Sequence, residues 1–301
     1  MSSLFKPEAW SDVLSKTSPY LLDSRKNNLV YLLDVSNQLS NKLNQKSRSG
    51  SNKFDGMRFI SLYYFSHGYQ IANAMLNLCH GGLGGPACIL ARSQVEAVID
   101  FSYLYLCKKI NGKEDEREAW FDFKFIRRSS VYTKWKEFQK HNNMSKFSNV
   151  TYNEQFIETA QLFEKRASEF KEKFKRSHWA EDKYTHLDKR ARAVDNTGFF
   201  KESFNSLSLE ENHILLYKWA SEFTHGESGS LDSYVQNDEH KFFFDEGPSP
   251  SHVNTAAGAA VNMLLINCFL FERIHHLNID IAEELSKRDF YTPEWKQYAK
   301  K

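Results

Sequence analysis

The stretch Pro86–Cys107 has the hydrophobic pattern of a central helix, because apolar residues occupy most of its circumference. Three charged residues interrupt this pattern. Arg92, Glu96 and Asp100 follow one another every fourth residue, which places them on one face of the helix. Taking a charge out of water costs several kcal/mol, as a rough scale, unless it is paired. The charged line therefore predicts either an internal ion-pair ladder that fixes helix packing or the wall of a functional site.

A second nearly all-apolar helix is predicted at Met57–Cys79, and the glycine-rich segment His80–Pro86 follows it. Glycine is favoured just after a helix and proline in a first helical turn, so this segment indicates a helical hairpin turn. If the two helices run antiparallel, Arg92 comes level with Asn73. Asn73 is therefore a candidate polar neighbour of the charged line.

The rest of the pattern is helical as well. Apolar positions at helical spacing between Leu22 and Leu39 predict an N-terminal helix, and the polar, Ser/Gly-rich stretch Gln45–Gly56 predicts a linker. We therefore place an N-terminal helical extension over residues 1–50 and one helical domain over residues 51–301. Other helices are predicted at Glu114–Gln139, Gln155–Lys175 and His252–Arg273, and a loop at Glu227–Ser251. The predicted fold class is all-α, a multi-helix bundle.

The stretch Ser208–Gly226 carries the clearest helix-end signals. Ser208 and Glu211 have the spacing of a capping box, and the final glycine is a typical helix stop. His225 is thus predicted in the last turn, where the helix dipole stabilises the protonated imidazole. Ser221 lies one turn earlier on the same face. His225 either caps the helix by binding a carbonyl or belongs to a site.

Composition narrows the function classes. The 301 residues include only 13 glycines and 6 prolines, which favours helices, and a net charge of +2 does not by itself imply nucleic-acid binding. The four cysteines show no metal or redox spacing, which indicates reduced core residues. The N-terminus has no apolar signal core, and the apolar run Ala256–Phe271 is too short to span a bilayer. We expect a cytoplasmic protein with no cofactor, no metal ligands and no membrane partner.

Two patches, Ile89–Leu104 and Tyr217–Gly226, together resemble a bacterial and archaeal all-helical family of unknown function that is often grouped with HEPN-like domains. Its pattern is Arg-Ser-x-x-Glu on one helix and Ser-x-x-x-His-Gly at the end of a later helix. The residues that match these two motifs are Arg92, Ser93, Glu96, Ser221, His225 and Gly226.

The resemblance implies an HEPN-like bundle that forms dimers, and in many relatives a metal-independent ribonuclease that uses one arginine and one histidine. In that chemistry the histidine moves a proton at the RNA 2′-hydroxyl and the arginine steadies the charge on the phosphate. The HEPN nuclease signature places the histidine four to six residues after the arginine on one helix, and this chain has no Arg–His pair at that spacing. Arg92 and His225 can meet only through the fold. We predict that His225 comes into direct or one-water contact with the Arg92–Glu96 pair.

Three functional hypotheses follow. The first is a non-catalytic helical module of a prokaryotic phage-defence or toxin–antitoxin system, which binds a partner protein or senses a ligand. Its polar core would contain Arg92, Ser93, Glu96, Asp100, Asn73, Ser221 and His225. The alternative is an HEPN-like, metal-independent endoribonuclease or nucleotide-binding effector with Arg92, Glu96 and His225 as catalytic residues. The expected partners are RNA or a nucleotide, a partner protein, and a second copy of the chain.

The third hypothesis is a metal-dependent hydrolase. Its candidate ligands are His67, Glu96, Asp100 and His225, but no ligand spacing supports it. Solvent access distinguishes the first two hypotheses, because a nuclease requires an open site and a structural network is sealed.

Overall fold

The computed structural model of the protein describes residues 17–48, 55–141, 154–204, 207–225, 235–238, 241–244, 248–279 and 281. Its α-helices, in chain order, are α1 (Asp23–Arg48), α2 (Gly56–His80), α3 (Gly84–Asn111), α4 (Asp115–His141), α5 (Glu154–Phe174), α6 (Leu187–Asn196), α7 (Phe199–Ser203), α8 (Leu209–Asn212), α9 (Lys218–His225) and α10 (Val253–His275). A 3₁₀ helix (Asp182–Tyr184) precedes α6, and a π-helical turn (His213–Tyr217) joins α8 to α9. The predicted fold class, an all-α multi-helix bundle, is confirmed.

One described segment of the predicted loop Glu227–Ser251 is extended rather than irregular. There β1 (Val235–Asp238) pairs antiparallel with β2 (Lys241–Phe244), with Val235 opposite Phe244. Phenylalanine is enriched in strands, and β2 contains three in succession. Among the described residues this two-stranded hairpin is the only sheet, so the all-α fold class is unchanged.

The chain divides into two units, and the division differs from the predicted boundary near residue 50. Unit 1 comprises Met1–Tyr105 and Ala191–Lys301, and unit 2 comprises Leu106–Arg190. The helix α1 belongs to unit 1 because its leucines Leu29, Leu32 and Leu33 are fully buried, in a helix that packs against α10. It also continues to Arg48, into the predicted linker, whose residues 49–54 lie outside the described part of the chain.

In unit 1, α10 packs against both α1 and α2. Its first half supplies four buried alanines, which allow neighbouring helices to approach closely: Ala256, Ala257, Ala259 and Ala260. The approach is closest at Gly68 of α2, where an added Cβ would lie 2.1 Å from the Asn267 side chain. The small residues of these helices therefore set the packing of the core.

The helix α10 lies close to the predicted range His252–Arg273, but it is longer than the apolar run Ala256–Phe271 within it. It begins at Val253 and ends at His275, so by length and composition it could cross a membrane, whereas the apolar run Ala256–Phe271 alone was predicted to be too short. Most of that helix is buried inside the protein, as expected of a core helix.

The hairpin turn predicted between α2 and α3 is confirmed. Gly82 adopts a left-handed conformation (φ 75°), Gly82 N–H donates to the Cys79 carbonyl (3.1 Å) and Leu83 N–H donates to the Leu78 carbonyl (2.8 Å). These two bonds form a Schellman motif, in which only glycine takes the left-handed position without strain. The helix α3 begins at Gly84, two residues before the predicted start at Pro86.

The C-terminal end of α10 is fixed by buried polar contacts. Lys46 Nζ donates to the His275 carbonyl (2.8 Å), and His275 Nε2 lies 2.8 Å from the Ser61 hydroxyl. The pKa of His275 is lowered to about 4, chiefly by burial. The positive charges of Arg58 and Lys46 contribute to this lowering, and the negative charge of Asp55 opposes it. His275 is therefore neutral in the folded protein at neutral pH.

All four cysteines are buried free thiols: Cys79, Cys88, Cys107 and Cys268. Burial raises the pKa of each thiol, to about 12 for Cys79 and Cys268 and to about 11 for Cys107. The prediction of reduced core cysteines is confirmed.

In unit 2, α4 and α5 pack against each other as an antiparallel pair. Phe123 meets Phe170 and Phe125 meets Phe163, with ring centroids 6.3 and 6.1 Å apart. After α5, the buried Arg190 donates to the Tyr184 and Thr185 carbonyls (2.7 and 2.8 Å). Arg190 therefore has a structural role.

Candidate functional site

The start of α8 is held by a carboxylate from α6. Ser208 is the N-cap, and its hydroxyl oxygen accepts the Glu211 N–H (3.0 Å), as the capping pattern predicted. The Asp195 carboxylate accepts the Ser208 hydroxyl (2.7 Å) and the N–H groups of Leu209 and Glu210 (both 2.9 Å). Because a helix N-terminus leaves N–H groups unpaired, this carboxylate stabilises the helix and fixes its position.

A π-helical turn (His213–Tyr217) interrupts the helix after α8. The ring of His213 stacks on the ring of Tyr217, with centroids 5.0 Å apart and planes at 19°. Such turns are rare and are frequent at functional sites. After the turn α9 is regular, so Tyr217, Ser221 and His225 follow one face towards the C-terminus.

Arg92 of α3 meets this face directly. Its Nη1 lies 3.1 Å from His225 Nε2, its Nη2 donates to the Tyr217 hydroxyl at 3.2 Å, and its guanidinium carbon is 5.0 Å from the Tyr217 ring centroid. We refer to Arg92, Tyr217 and His225 as the Arg92 cluster. The predicted contact between Arg92 and His225 is confirmed.

The donor and acceptor roles in the Arg92 cluster follow from chemistry. A guanidinium can only donate, so in this contact His225 Nε2 is the acceptor and the ring proton lies on Nδ1.

The cluster is open to solvent. His225 is exposed, and Arg92 and Tyr217 are half-buried. Within the described residues Arg92 forms no ion pair with a carboxylate. Its positive charge is therefore held in place by neutral groups rather than neutralised.

A comparison with models of protein families shows the family to which this chain belongs. A model described as a family of unknown function, DUF5677, matches residues 58–242, which is more than half of the chain and includes the whole Arg92 cluster. The chain belongs to DUF5677. No curated protein and no solved structure matched it. The DUF5677 region begins in α2 and ends in β2, so α1 and α10 lie outside it.

The other predicted residues of α3 do not join the cluster of this DUF5677 chain. Glu96 is exposed and, among the described residues, forms no hydrogen bond or ion pair. Of the two predicted alternatives, the internal ion-pair ladder of Arg92 and Glu96 is therefore not formed among the described residues, and His225 contacts Arg92 but not Glu96. Ser93 is also exposed, and Asp100 is half-buried two turns along the helix. The charged line lies towards solvent because the opposite, apolar side of α3 faces the core.

Ser221 and Asn73 have local partners. The Ser221 hydroxyl donates to the Tyr217 carbonyl (2.7 Å), one turn back on its own helix. Asn73 is half-buried and its carbonyl accepts from the Asn77 side chain (2.8 Å). Its own side-chain oxygen is buried without a hydrogen bond to a described residue. Among the described residues, Ser221 hydrogen-bonds the backbone of Tyr217 but neither Arg92 nor His225, and Asn73 takes no part in the Arg92 cluster.

The candidate metal ligands are not brought together. Within the described residues no group of three or more His, Cys, Asp and Glu side chains is placed to hold a metal ion. The ring of His67 instead stacks on Tyr63 (5.8 Å, 7°), and burial lowers its pKa. The geometry offers the Arg92 cluster as the candidate site.

Proposed function

We propose that this DUF5677 protein is a non-catalytic, ligand-sensing helical module that binds a phosphate-bearing ligand, a nucleotide or RNA, at the Arg92 cluster. The observation that carries the proposal is a solvent-accessible guanidinium that is fixed by Tyr217 and His225 and has no carboxylate partner among the described residues. Arginine held in this way is pre-organised to bind a phosphate with two parallel hydrogen bonds.

The neutral groups around Arg92 favour an anion over a cation. A carboxylate partner would compete with a phosphate, whereas the Tyr217 ring and the His225 imidazole leave the positive charge uncompensated. The Tyr217 hydroxyl and His225 can also donate to phosphate oxygens, His225 through its Nδ1–H after a ring rotation. A phosphate therefore has three donors within one small exposed area.

The test measures stabilisation by ligands. Purified full-length protein is heated with a panel of nucleoside mono-, di- and triphosphates and with a short single-stranded RNA. A ligand at one hundred times its Kd adds about 2.7 kcal/mol of stability, which raises the midpoint of unfolding measurably. We expect a shift in wild type that Arg92→Gln abolishes.

The matched control is Arg273→Gln. Arg273 also lies over a ring, 5.2 Å from the Phe269 centroid, on an exposed part of unit 1. Its removal should leave the ligand-induced shift unchanged. If no member of the panel stabilises wild type, or if Arg92→Gln retains the full shift, the proposal is wrong.

RNA cleavage at the same cluster is the second candidate function. It is favoured by the neutral, exposed His225, whose Nε2 can accept a proton when Arg92 turns towards a phosphate. His225 would take the 2′-hydroxyl proton, the 2′-oxygen would form a bond to the adjacent phosphorus, and the bond to the 5′-oxygen would break. A proton from solvent completes the leaving hydroxyl, and Arg92 stabilises the charge that develops on the phosphate.

Labelled RNA and a metal chelator distinguish the two functions. Chelator-resistant cleavage by wild type that is lost in both Arg92→Gln and His225→Gln would establish the nuclease, with the folded state of each variant checked by circular dichroism. If wild type binds the RNA without cleaving it, the result supports the non-catalytic sensing function.

The proposal also covers the oligomeric state, the biological role and the location of the protein. The resemblance of the motifs at Arg92 and His225 to those of a family that is often grouped with HEPN-like domains supports a dimer and a role in phage defence or a toxin–antitoxin system. Four free, buried thiols support a cytoplasmic protein. Burial of most of α10 supports a protein without a membrane partner.

A further inference from the structure

The C-terminal half of α4 carries an exposed stripe in which cations alternate with large apolar side chains. We refer to these residues as the α4 stripe: Arg127, Arg128, Val131, Lys134, Trp135 and Phe138. Their spacing of three, four and seven residues places them on one side of the helix. Val131 is 69% exposed, Trp135 41% and Phe138 48%, which is unusual for three neighbouring apolar residues.

The charge of this part of α4 differs from that of the whole chain. Residues 124–141 contain six lysines and arginines and a single acidic residue, Glu137. Lys136 is paired with Glu164 of α5 (3.5 Å). Arg127 and Lys134 are exposed and form no ion pair with a carboxylate of the described residues. The stripe therefore presents positive charge that a polyanion can neutralise.

The two large rings of the stripe lie face to face. The rings of Trp135 and Phe138 are stacked on each other, with centroids 5.6 Å apart and planes at 20°. A base can stack on the outer side of such a pair while the neighbouring cations bind phosphates. We propose that the α4 stripe binds single-stranded RNA.

The arrangement of the cations favours RNA over a lipid surface. A helix that lies on a membrane separates an apolar face from a charged face. In α4 the cations Arg127 and Lys134 lie in the same row as Val131 and Phe138, where a membrane would have to bury them. A flexible strand with bases and phosphates can contact both kinds of group along that row.

The proposal goes beyond the function proposed for the Arg92 cluster. The α4 stripe belongs to unit 2, and the Arg92 cluster belongs to unit 1. The two surfaces can therefore be tested with separate substitutions.

The experiment measures the anisotropy of an end-labelled oligouridine mixed with the full-length protein at low salt. Trp135→Ala should weaken binding about tenfold, because each base stacked on an aromatic ring contributes strongly to affinity. Trp135→Phe keeps a ring and should recover most of that loss. Lys134→Gln should weaken binding and lower the slope of log K against log salt by about one.

The controls remove the same residue types elsewhere. Phe59→Ala deletes an exposed ring on α2, and Lys171→Gln deletes an exposed cation on α5; neither should change binding. Circular dichroism and thermal unfolding check that each variant is folded.

Three results would overturn the proposal. One is the absence of RNA binding by wild type at low salt. Another is unchanged binding by both Trp135→Ala and Lys134→Gln, with loss in Arg92→Gln instead. The third is binding of phosphatidylserine vesicles, but not RNA, through the α4 stripe.

Discussion

Tyr217 holds the guanidinium of Arg92 in two ways at once. Its ring centroid lies 5.0 Å from the guanidinium carbon, and its hydroxyl accepts an N–H at 3.2 Å. The ring contact restricts the plane of the guanidinium, and the hydrogen bond restricts its rotation. Tyr217 therefore acts as a positioning residue for the proposed phosphate site.

Tyr217→Phe separates these two contributions. It keeps the ring and removes the hydroxyl, so ligand affinity should fall by about tenfold or more, in keeping with one lost hydrogen bond to a charged group. Tyr217→Ala removes both contacts and should weaken binding further. Titration of the best ligand from the nucleotide panel measures both effects. Equal affinity of wild type and Tyr217→Ala would show that Arg92 needs no support from the ring.

The π-helical turn has a direct genetic test. Deleting Leu215, an exposed residue inside the turn, would allow the helix to continue in α-helical register. Because the π-helical turn accommodates one extra residue, α9 then keeps nearly the same rotation and Tyr217 still faces Arg92. We expect the variant to remain helical by circular dichroism and to keep the ligand-induced shift. Deleting Lys218, which lies in the regular helix α9, rotates His225 by about 100° away from Arg92 and should abolish the shift.

Asp195→Asn tests the cap on α8. The amide has one oxygen in place of two, so at least one of the three hydrogen bonds from Ser208, Leu209 and Glu210 is lost. The free energy of unfolding should fall by about 1–2 kcal/mol. Urea titration measures it, and Glu202→Gln on the exposed side of α7 is the control. Equal stability of the two variants would mean that the carboxylate is dispensable.

His275 makes stability depend on pH. Its pKa is lowered to about 4 in the folded protein, chiefly by burial, against about 6.5 in the unfolded chain. Its contribution is therefore complete above about pH 6.5 and is lost as the pH falls towards 4, because the unfolded state then binds a proton that the folded state does not. The expected loss is on the order of 2 kcal/mol.

The prediction for His275 is tested by comparing how steeply the free energy of unfolding falls with pH in wild type and in two variants. His275→Gln should be less stable at neutral pH, because Ser61 loses its partner, but its stability should fall less steeply between pH 6.5 and 4. His186→Gln replaces an exposed histidine and should follow wild type. A slope unchanged in His275→Gln would assign the acid sensitivity to another group.

Local sequence signals predicted much of the fold because these helices, turns and caps depend on residues that are close together in the chain. The apolar runs became α2, α3 and α10, the glycines after α2 formed the turn, and Ser208 capped α8. Arg92 and His225 were predicted to meet because each interrupts an otherwise ordered helical pattern. That argument does not require knowledge of the neighbouring elements.

The features that the sequence did not predict depend on partners distant along the chain. An internal ion-pair ladder that includes Glu96 was predicted as one alternative from the cost of an unpaired charge, but the side of α3 that faces the core is decided by packing. The Asp195 cap joins two helices, and the π-helical turn is one extra residue that no periodicity detects. The place of α1 in unit 1 likewise follows from a distant contact, because α10 packs against the helix that carries Leu29.

Because its four thiols are buried, the folded protein is unreactive towards cysteine reagents. Thiolate is the reactive form, and both burial and a raised pKa keep it scarce at neutral pH. A maleimide dye should therefore label only molecules that have opened, and the amount of dye bound would count them. The same native cysteines give every variant described above an internal report on folding, in a crude extract and without an added tag.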